Sequence, residues 1–528
     1  MDVARLIEAL SGPAAYPCAV DRVEVRQTHI SAVFLAGAFV YKVKKPVDLG
    51  FVDFSTLEKR HHFCLEEVRL NARLAPAVYL GVVPVVAAAA GLRFEGEGPA
   101  VEWAVKMQRL PAEATLQERL RRDEVEAGLA KTLGERIAGF HRHAEGGPRI
   151  AEFGRFEAVA KVIRDIYTQS RPHIGVTVSP KVFGRLQALA EGELERLRPL
   201  IEARANRGVP RDCHGDLHLD HVYYFADRQP PGDLVIIDCI EFNERFRFGD
   251  PVADMAFPEM DFAFYGRRDL ARTFTEAYFQ TSGDEEGRAL LPMYTAYRAT
   301  VRGSVEGMLV AAAEVAEAER FAARSQSRAH WLLALGELEE PSRRPCLILV
   351  AGLPGTGKSS LARELAAAGN FRVIRSDVVR KELASRGTTE ATIERLSESF
   401  YTPEWNSRTY ARCWRRAEEL LFEGERVLVD ANFREERERR AFLRMAEARG
   451  VVGCLLVCTA RPETVRRRLQ ERSADASDAD WAVYERVAPR WEAMGKATLR
   501  TMREVSTDGS LAEARGQATS ALRELGLW

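Results

Sequence analysis

The segment from Gly352 to Ser360 has the residue types and spacing that bind a nucleotide phosphate. Its sequence, GLPGTGKSS, fits the pattern G-x-x-x-x-G-K-[ST], follows the apolar run 346–351 and precedes a helical pattern. Glycines allow backbone N–H groups to close around a phosphate at a helix N-terminus. The lysine can reach the β- and γ-phosphates, and the serine can bind Mg²⁺. The pattern therefore predicts a nucleotide–Mg²⁺ site formed by Gly352, Gly355, Thr356, Gly357, Lys358, Ser359 and Ser360, with Ser359 as a metal ligand.

The chain downstream of this loop alternates between strand-like and helical patterns. Apolar runs at 371–374, 426–429 and 451–458 are separated by helical stretches. This alternation is typical of an α/β doubly wound domain with a parallel sheet, in which ligands bind at the carboxyl ends of the strands.

Charged residues follow three of these predicted strands. Asp377 follows the predicted strand 371–374, and Asp430 follows the predicted strand 426–429. Arg468 and Arg472 follow the run 451–458 with i, i+4 spacing. One carboxylate could accept a proton from an attacking hydroxyl and the other could hold Mg²⁺, while the arginines could neutralise a phosphoryl group. The alternatives are a helix N-cap at Asp377, a turn residue at Asp430 and a solvated arginine face.

A second group of polar residues lies in the N-terminal part. The sequence DCHGDLH at 212–218 precedes an apolar run, and the strand-like segment 234–237 ends at Asp238. Two carboxylates beside strands, Asp216 and Asp238, suit metal-dependent phosphate chemistry. The alternative is a pair of turn aspartates with a core histidine.

Composition limits the class of protein. The chain has 528 residues, a net charge of −1, and 29% charged and 46% hydrophobic residues, which predicts a soluble protein of two to four domains. Residues 345–528 carry 31 Lys and Arg against 27 Asp and Glu, too small an excess for a dedicated nucleic-acid binder. No stretch approaches the length of a membrane span, so we expect no membrane partner, and the small charge excess argues against nucleic acid as a partner. The pattern leaves the oligomeric state open.

The eight cysteines are scattered without C-x-x-C pairs. This usage predicts a reduced, cytoplasmic protein without a zinc site. The polar segment 336–345 contains two prolines and is the best candidate for a linker between domains.

The C-terminal part resembles the small P-loop kinases of the adenylate-kinase-like and zeta-toxin-like group. The matching segments are GLPGTGKSS at 352–360, SDVVRK at 376–381, VDANF at 429–433 and the arginine-rich segment 466–480. The resemblance implies phosphate transfer from ATP to a hydroxyl of a small acceptor. It makes Asp377 the candidate base, Arg380 an acceptor-binding residue and Asp430 a metal-binding residue.

The N-terminal part resembles the aminoglycoside phosphotransferase and choline kinase group. The loop pattern H-G-D-x-H-x-x-N of that group is matched at His214, Gly215, Asp216 and His218, and the element FGDPVADMA follows at 248–256. The resemblance implies an α+β protein-kinase-like bilobal domain. It makes Asp216 the catalytic base and Asp238 a metal ligand.

The same resemblance implies an ATP-binding lysine and its partner. Lys42 is the chosen lysine with Lys44 as its rival, and Glu67 is the chosen partner with Glu66 as its rival. His221 stands where the group has a metal-binding asparagine. Imidazole is a poorer ligand than oxygen for a hard cation such as Mg²⁺, and the neighbouring Asp220 is an alternative.

These resemblances predict two kinases in tandem. The expected domains are an N-lobe at 1–110, a C-lobe at 111–338 and a P-loop kinase domain at 345–528. The order of parts resembles chains described as bifunctional aminoglycoside phosphotransferase/ATP-binding proteins. The expected partners are small-molecule hydroxyl acceptors. Two other readings stay open: a regulatory nucleotide-binding protein with a degenerate N-terminal kinase domain, and a nucleic-acid end kinase.

Overall fold

The computed structural model describes residues 3–50, 52–88, 91–312, 315–385, 402–471 and 480–528. The chain divides into two compact units, each built from several segments. The first unit comprises Met1–Lys161, Leu197–Phe262 and Arg267–Tyr294, and the second comprises Val162–Arg196, Ala263–Gly266 and Thr295–Trp528.

Fifteen strands and twenty α-helices lie within the described ranges. The strands are β1 Val23–Gln27, β2 Ser31–Ala36, β3 Phe39–Lys44, β4 Tyr79–Ala88, β5 Gly91–Phe94, β6 Ala100–Gln108, β7 Arg211–Asp212, β8 Val222–Tyr224, β9 Leu234–Ile236, β10 Phe248–Gly249, β11 Cys346–Ala351, β12 Arg372–Arg375, β13 Arg426–Asp430, β14 Val452–Thr459 and β15 Met502–Ser506. The helices are α1 Val3–Leu10, α2 Leu57–Asn71, α3 Leu116–Arg121, α4 Ala127–His143, α5 Pro148–Ala151, α6 Phe156–Gln169, α7 Pro180–Asn206, α8 Glu244–Arg247, α9 Pro251–Phe264, α10 Arg268–Ser282, α11 Leu291–Ala311, α12 Glu317–Leu338, α13 Lys358–Gly369, α14 Ser376–Ser385, α15 Pro403–Phe422, α16 Glu436–Ala448, α17 Pro462–Gln470, α18 Trp481–Val487, α19 Lys496–Thr501 and α20 Leu511–Glu524. Among these helices, none combines the length and the apolar character needed to cross a membrane.

The first unit contains a six-stranded antiparallel sheet with strand order β1-β2-β3-β6-β4-β5. Side chains alternate between the two faces of a strand, so Tyr41 and Val43 of β3 face one side and Lys42 and Lys44 face the other. Tyr41 and Val43 join a buried core with Phe34 and with other apolar residues of the sheet. This alternation leaves both lysines on the face that carries the candidate site.

Helix α2 brings an acidic residue to that face. It begins after Thr56, whose hydroxyl accepts a hydrogen bond from the backbone N–H of Lys59, as expected for an N-cap. One stripe of the helix is buried and includes Cys64, Glu67 and Leu70. Glu67 is therefore held against the sheet by the apolar residues on either side of it.

Gly215 fixes the backbone geometry of the 213–221 loop. This glycine has φ +86°, and a Cβ atom there would lie 2.7 Å from the carbonyl oxygen of Phe246. A side chain at this position would be both strained and obstructed. The loop is followed by the antiparallel pair β8 and β9, which leads to Asp238.

The second unit contains a five-stranded parallel sheet with strand order β12-β13-β11-β14-β15. All residues of β11 and β13 are buried, as expected for a parallel sheet covered on both faces. The α/β fold predicted for this part is thus present, and the four predicted strands agree with β11–β14 to within one residue at each end. The edge strand β15 was not predicted.

The predicted linker is not a solvated tether. Its first three residues end α12, the rest leads to β11, and Glu339 within it is only 4% exposed. Arg185 of α7 donates from Nε to Glu339 at 3.0 Å. The segment is therefore fixed by a helix of the same unit.

Candidate nucleotide and phosphotransfer sites

The P-loop of the second unit follows the central strand β11 and ends at the start of α13. Gly352 has φ +143°, and a Cβ atom there would lie 2.6 Å from the carbonyl oxygen of Cys458, so this position requires glycine. The ammonium group of Lys358 donates to the carbonyl oxygen of Leu353 at 2.8 Å, within the same loop. The loop thus has the backbone form that the pattern requires for phosphate binding.

A cavity of about 1060 Å³ opens beside the P-loop. It brings together residues that the sequence placed after four different strands. The predicted site residues that line it are Gly355, Gly357, Lys358, Ser359, Ser360, Asp377, Arg380, Asp430 and Arg468. Gly352 and Thr356 belong to the loop but are not among the lining residues. Arg472 lies outside the described residues.

The two carboxylates of this cavity have different environments. Burial raises the pKa of Asp377, and the charge of Asp430 adds to this effect, although Lys358 and Arg380 oppose it. Asp430 ends β13, is 5% exposed, and lies 3.5 Å from Nε of Arg375. A carboxyl with a raised pKa is suited to proton transfer, whereas a carboxylate held at a strand end is suited to binding a cation.

Arg468 lies on the P-loop side of the cavity. Its Nη2 donates to the carbonyl oxygen of Thr507 at 2.5 Å, and the hydroxyl of Thr507 donates to the carbonyl oxygen of Thr356 at 2.7 Å. Thr507 was missed by the sequence analysis because it follows the unpredicted strand β15. The run 502–506 has apolar residues only at Met502 and Val505, so no alternation in the local sequence indicates this strand.

In the first unit, two lysines share one glutamate. Nζ of Lys42 lies 2.9 Å from Oε1 of Glu67, and Nζ of Lys44 lies 2.7 Å from Oε2. The side chain of Glu67 is 0% exposed. Its rival, Glu66, instead pairs with Arg69 on its own helix at 2.7 Å.

The two lysines differ in their second partner. Lys42 donates to Oδ1 of Asp238 at 2.7 Å and is 15% exposed, whereas Lys44 is 1% exposed and pairs with Glu241. Burial lowers the pKa of both lysines, but the carboxylates around them outweigh this and raise it. Glu241 was missed by the sequence analysis, because nothing in its local pattern indicates a partner on β3.

Asp216 is held from one side by a histidine. Nε2 of His218 lies 2.9 Å from Oδ1 of Asp216, and Nδ1 of His218 lies 3.5 Å from Oδ2 of Asp261. The other matching histidine, His214, donates from Nε2 to the carbonyl oxygen of Ile237 at 3.0 Å. Burial lowers the pKa of His214 to about 4. His214 is therefore neutral at pH 7.

The backbone of this loop is anchored by Asp254. Its two carboxylate oxygens accept from the N–H groups of His214 at 3.0 Å and Gly215 at 2.8 Å. Nε2 of His141 lies 3.0 Å from the same carboxylate, and Nδ1 lies 2.9 Å from the hydroxyl of Tyr278. In the part of the chain that the structure describes, one group of three potential metal ligands was found, His141, Cys213 and Asp254. These hydrogen bonds show that its histidine and aspartate support the loop.

His221 lies between the two aspartates of the N-terminal site. Nε2 is 3.7 Å from Oδ2 of Asp238, and Nδ1 is 3.8 Å from Oδ2 of Asp216. Burial lowers the pKa of His221, but the charges of Asp220, Asp216 and Asp238 outweigh this and raise it. Desolvation raises the pKa of Asp238, but Lys42 and His221 outweigh it and hold the pKa below its usual range. Asp216, Asp238, Lys42 and His221 thus converge on one cluster.

These donor sets can be compared with what Mg²⁺ requires. In the second unit, the hydroxyl of Ser359 and the carboxylate of Asp430 line one cavity and supply oxygen. In the first unit, Asp238 supplies oxygen and His221 supplies nitrogen. The first set offers only oxygen, which suits a hard cation, whereas the second also offers a nitrogen.

The chain is similar to a sequence family over part of its C-terminal half and to mycobacterial proteins over most of its length. A sequence family described as an AAA domain matches residues 347–494. Uncharacterized protein Rv2004c of Mycobacterium tuberculosis is 30% identical over 496 residues, which are 94% of this chain and 94% of that protein. Uncharacterized protein Mb2027c of Mycobacterium bovis gives the same values.

Three solved structures are also similar over part of the chain. A gluconokinase from Sinorhizobium meliloti 1021 is 20% identical, with a TM-score of 0.28, and covers 35% of this chain and 95% of its own. A microcompartment-associated aminopropanol kinase is 18% identical, with a TM-score of 0.38, and covers 63% and 96%. A choline/ethanolamine kinase family protein from Mesorhizobium loti is 13% identical, with a TM-score of 0.36, and covers 63% and 97%.

Proposed function

This chain belongs to the same family as the mycobacterial proteins Rv2004c and Mb2027c, and we propose that it is a tandem ATP-dependent phosphotransferase. Each of its two sites transfers the γ-phosphate of ATP to a hydroxyl group of a small molecule. The proposed acceptors are sugars, amino sugars, aminoglycoside-like compounds or nucleosides. The proposed cofactor is ATP with Mg²⁺.

One observation carries this proposal. Lys358 and Ser359 of the P-loop line the same cavity as Asp377 and Asp430, although the three segments are far apart in the chain. A phosphate-binding loop beside two carboxylates is the arrangement that phosphoryl transfer to a hydroxyl requires. A domain that binds a nucleotide without catalysing a reaction does not need the second carboxylate.

In the C-terminal site, each residue has a distinct proposed role. Lys358 neutralises charge on the β- and γ-phosphates, and Arg468 of α17 adds positive charge. Ser359 and Asp430 would hold Mg²⁺, which supplies charge neutralisation of the phosphates when bound. Asp377 accepts the proton of the acceptor hydroxyl.

Acceptor binding at this site is assigned to Arg380. It follows Asp377 by three residues on α14, is 8% exposed, and lines the cavity. Residues three apart on a helix lie on the same face, so the base and the acceptor-binding group are presented together. The acceptor would then bind on the Asp377 side of the cavity, away from Arg468.

In the N-terminal site, Asp216 is the proposed base and His218 orients its carboxylate. Lys42 is the proposed phosphate-binding lysine, since Lys44 is enclosed by two carboxylates and is 1% exposed. Glu67 positions Lys42. Asp238 and His221 would hold the metal of this site.

The test uses the full chain and ATP labelled at the γ-phosphate. We would measure label transfer to a panel of hydroxyl metabolites for the parent, for Lys358→Ala, for Asp216→Asn and for both changes together. The proposal predicts that each single change removes transfer to a different set of acceptors. Transfer at the parental rate in the doubly changed chain would refute it.

A regulatory role of the N-terminal site is the second candidate function. The observation that favours it is the 2.7 Å pair between Lys42 and Asp238, which occupies a carboxylate oxygen that a metal ion would use. This role predicts that Asp216→Asn leaves all acceptor phosphorylation unchanged, whereas Lys42→Met changes the ATP dependence of the C-terminal site. Loss of any acceptor in Asp216→Asn would argue against it.

A further inference from the structure

We propose that His221 is a metal ligand and that the N-terminal site prefers Mn²⁺ or a similar transition metal to Mg²⁺. The proposed site is a mixed pair, with nitrogen from His221 and oxygen from Asp238. This inference rests on the proposed function of the N-terminal site, whose metal it specifies.

The orientation of the imidazole is the first support. Nδ1 of His221 lies 2.9 Å from the backbone carbonyl oxygen of Asp216. A carbonyl oxygen only accepts hydrogen bonds, so Nδ1 carries a proton. Histidines that bind metals commonly donate their second ring N–H to a carbonyl or a carboxylate, which fixes the ring and leaves the other nitrogen for the metal.

The position of the other ring nitrogen, Nε2 of His221, is the second support. Nε2 of His221 lies 3.7 Å from Oδ2 of Asp238. Metal–ligand bonds from imidazole and carboxylate are about 2.0–2.2 Å long, so one ion can contact two atoms at this separation. The gap is too long for a direct hydrogen bond.

The remaining groups around the ring place the site in an anionic environment. Asp216 lies on the other side of the ring, with Oδ2 3.8 Å from Nδ1, and Asp220 lies close enough to influence its charge. Lys42 occupies Oδ1 of Asp238 and leaves Oδ2 on the His221 side. A divalent cation between Nε2 and Oδ2 would therefore contact the oxygen of Asp238 that Lys42 does not occupy, with further negative charge from Asp216 and Asp220 nearby.

The choice of metal follows from the donor atoms. Mg²⁺ prefers oxygen ligands and retains its waters, whereas imidazole suits transition metals. Among divalent ions common in phosphotransfer, Mn²⁺ accepts both oxygen and imidazole nitrogen. An asparagine at this position would instead offer oxygen.

The experiment measures metal binding without turnover. Mn²⁺ would be added to the nucleotide-free full-length protein, and pulsed electron paramagnetic resonance would detect coupling between Mn²⁺ and ¹⁴N. The chains compared are the parent, His221→Asn and, as a control, His143→Asn, which changes an exposed histidine on α4 whose Nδ1 bonds its own helix at 2.8 Å.

We expect ¹⁴N coupling in the parent and in His143→Asn, and its loss in His221→Asn. We also expect His221→Asn to weaken Mn²⁺ binding by about tenfold. The ratio of the affinity for Mn²⁺ to that for Mg²⁺, measured by competition, should decrease. No ¹⁴N coupling in the parent, or the same coupling in His221→Asn, would overturn the inference. Circular dichroism of His221→Asn would identify a variant that fails to fold, and Asp238→Asn, which must also weaken Mn²⁺ binding, provides the second test.

The outcome is separable from that of the proposed function. If ¹⁴N coupling depends on His221 but no acceptor is phosphorylated, the metal site stands and the phosphotransferase proposal fails. If Asp216-dependent phosphorylation is found without ¹⁴N coupling, the metal assignment fails and the phosphotransferase proposal stands.

Discussion

Nζ of Lys44 lies 2.7 Å from Oε2 of Glu67, and their side chains are 1% and 0% exposed. Each carboxylate oxygen of Glu67 therefore faces a different lysine of β3, because Lys42 lies near Oε1. A buried charge that loses its partner is strongly destabilising, whereas an exposed ion pair contributes little. Stability measurements on variants can therefore show which charged residue of β3 is structural and which is functional.

The first prediction concerns Glu67 and its neighbour. Glu67→Gln should lower the free energy of unfolding of the first unit by about 3 kcal/mol, since two buried lysines lose part of their charge balance. Glu66→Gln is the matched control and should cost less than about 1 kcal/mol, because its partner Arg69 is exposed. Hydrogen exchange of peptides covering β3 and α2 measures both. Equal protection in the two variants would contradict the assignment.

The second prediction distinguishes the two lysines. Lys42→Met should reduce phosphotransfer by the N-terminal site by about a hundredfold with a small change in stability. Lys44→Met should destabilise the first unit, because Glu241 and Glu67 remain buried beside a neutral side chain. Thermal unfolding and labelled-phosphate transfer are measured on the same samples. The reverse pattern would make Lys44 the phosphate-binding lysine.

The third prediction concerns Lys358. Lys358→Ala should abolish phosphotransfer by the C-terminal site, because the loop loses the charge that neutralises the transferring phosphate. Folding should be retained. Lys496→Ala, which removes an exposed lysine at the start of α19, is the control and should keep the parental rate. Unchanged turnover in Lys358→Ala, measured with an acceptor that is insensitive to Asp216→Asn, would exclude a role in transfer.

The fourth prediction separates proton transfer from binding at Asp377. Asp377→Asn should leave ATP affinity nearly unchanged and lower acceptor phosphorylation by about a hundredfold or more, the scale of a general base. Because burial raises the pKa of Asp377, the acid limb of the parental rate profile should lie above the usual pKa range of aspartate. A collapse of nucleotide affinity in the variant would instead assign Asp377 to metal binding or to structure.

The fifth prediction concerns pH and His214. The folded state holds His214 neutral with a pKa of about 4, whereas the unfolded chain binds a proton below about pH 6.5. The unfolded state therefore binds more protons between these values, and stability falls as pH falls from 6.5 to 4, by about 3 kcal/mol at most. Urea denaturation should show that the free energy of unfolding decreases less between pH 6.5 and 4 in His214→Asn than in the parent and in His143→Asn. Identical pH slopes in all three chains would contradict the assignment.

Motifs that are continuous in sequence predicted their structure well. The apolar run 346–351 and the glycine pattern after it form a strand and a loop because both depend on local residue types. In β3, the alternation of side chains along the strand likewise puts Lys42 and Lys44 on one face. Local sequence patterns were sufficient for these strands and for the glycine loop, because residue type and spacing determine their backbone conformation.

Pairings between distant residues could not be predicted in this way. Lys44 and Glu241 are 197 residues apart, and Thr507 is 151 residues from Thr356. Such pairs depend on how elements pack, and a single sequence carries no record of that packing. Lys44 stayed a rival to the chosen Lys42 for the same reason, since both positions have the same residue type and the same strand face.

The packing of α7 and α12 against the P-loop region has a practical consequence for anyone who wishes to express that region alone. A fragment starting at residue 345 would lose Arg185, which donates to the carbonyl oxygen of Gly424 at 3.2 Å, and Ser325, whose hydroxyl accepts from Arg449 at 2.8 Å. It would also leave Phe422 without the guanidinium of Arg328, which lies 4.7 Å from its ring. The apparent junction between 336 and 345 is thus a poor place to cut the gene. The helices that precede it serve as part of the scaffold of the nucleotide-binding sheet, so the two proposed enzymes cannot be exchanged as independent cassettes at that point.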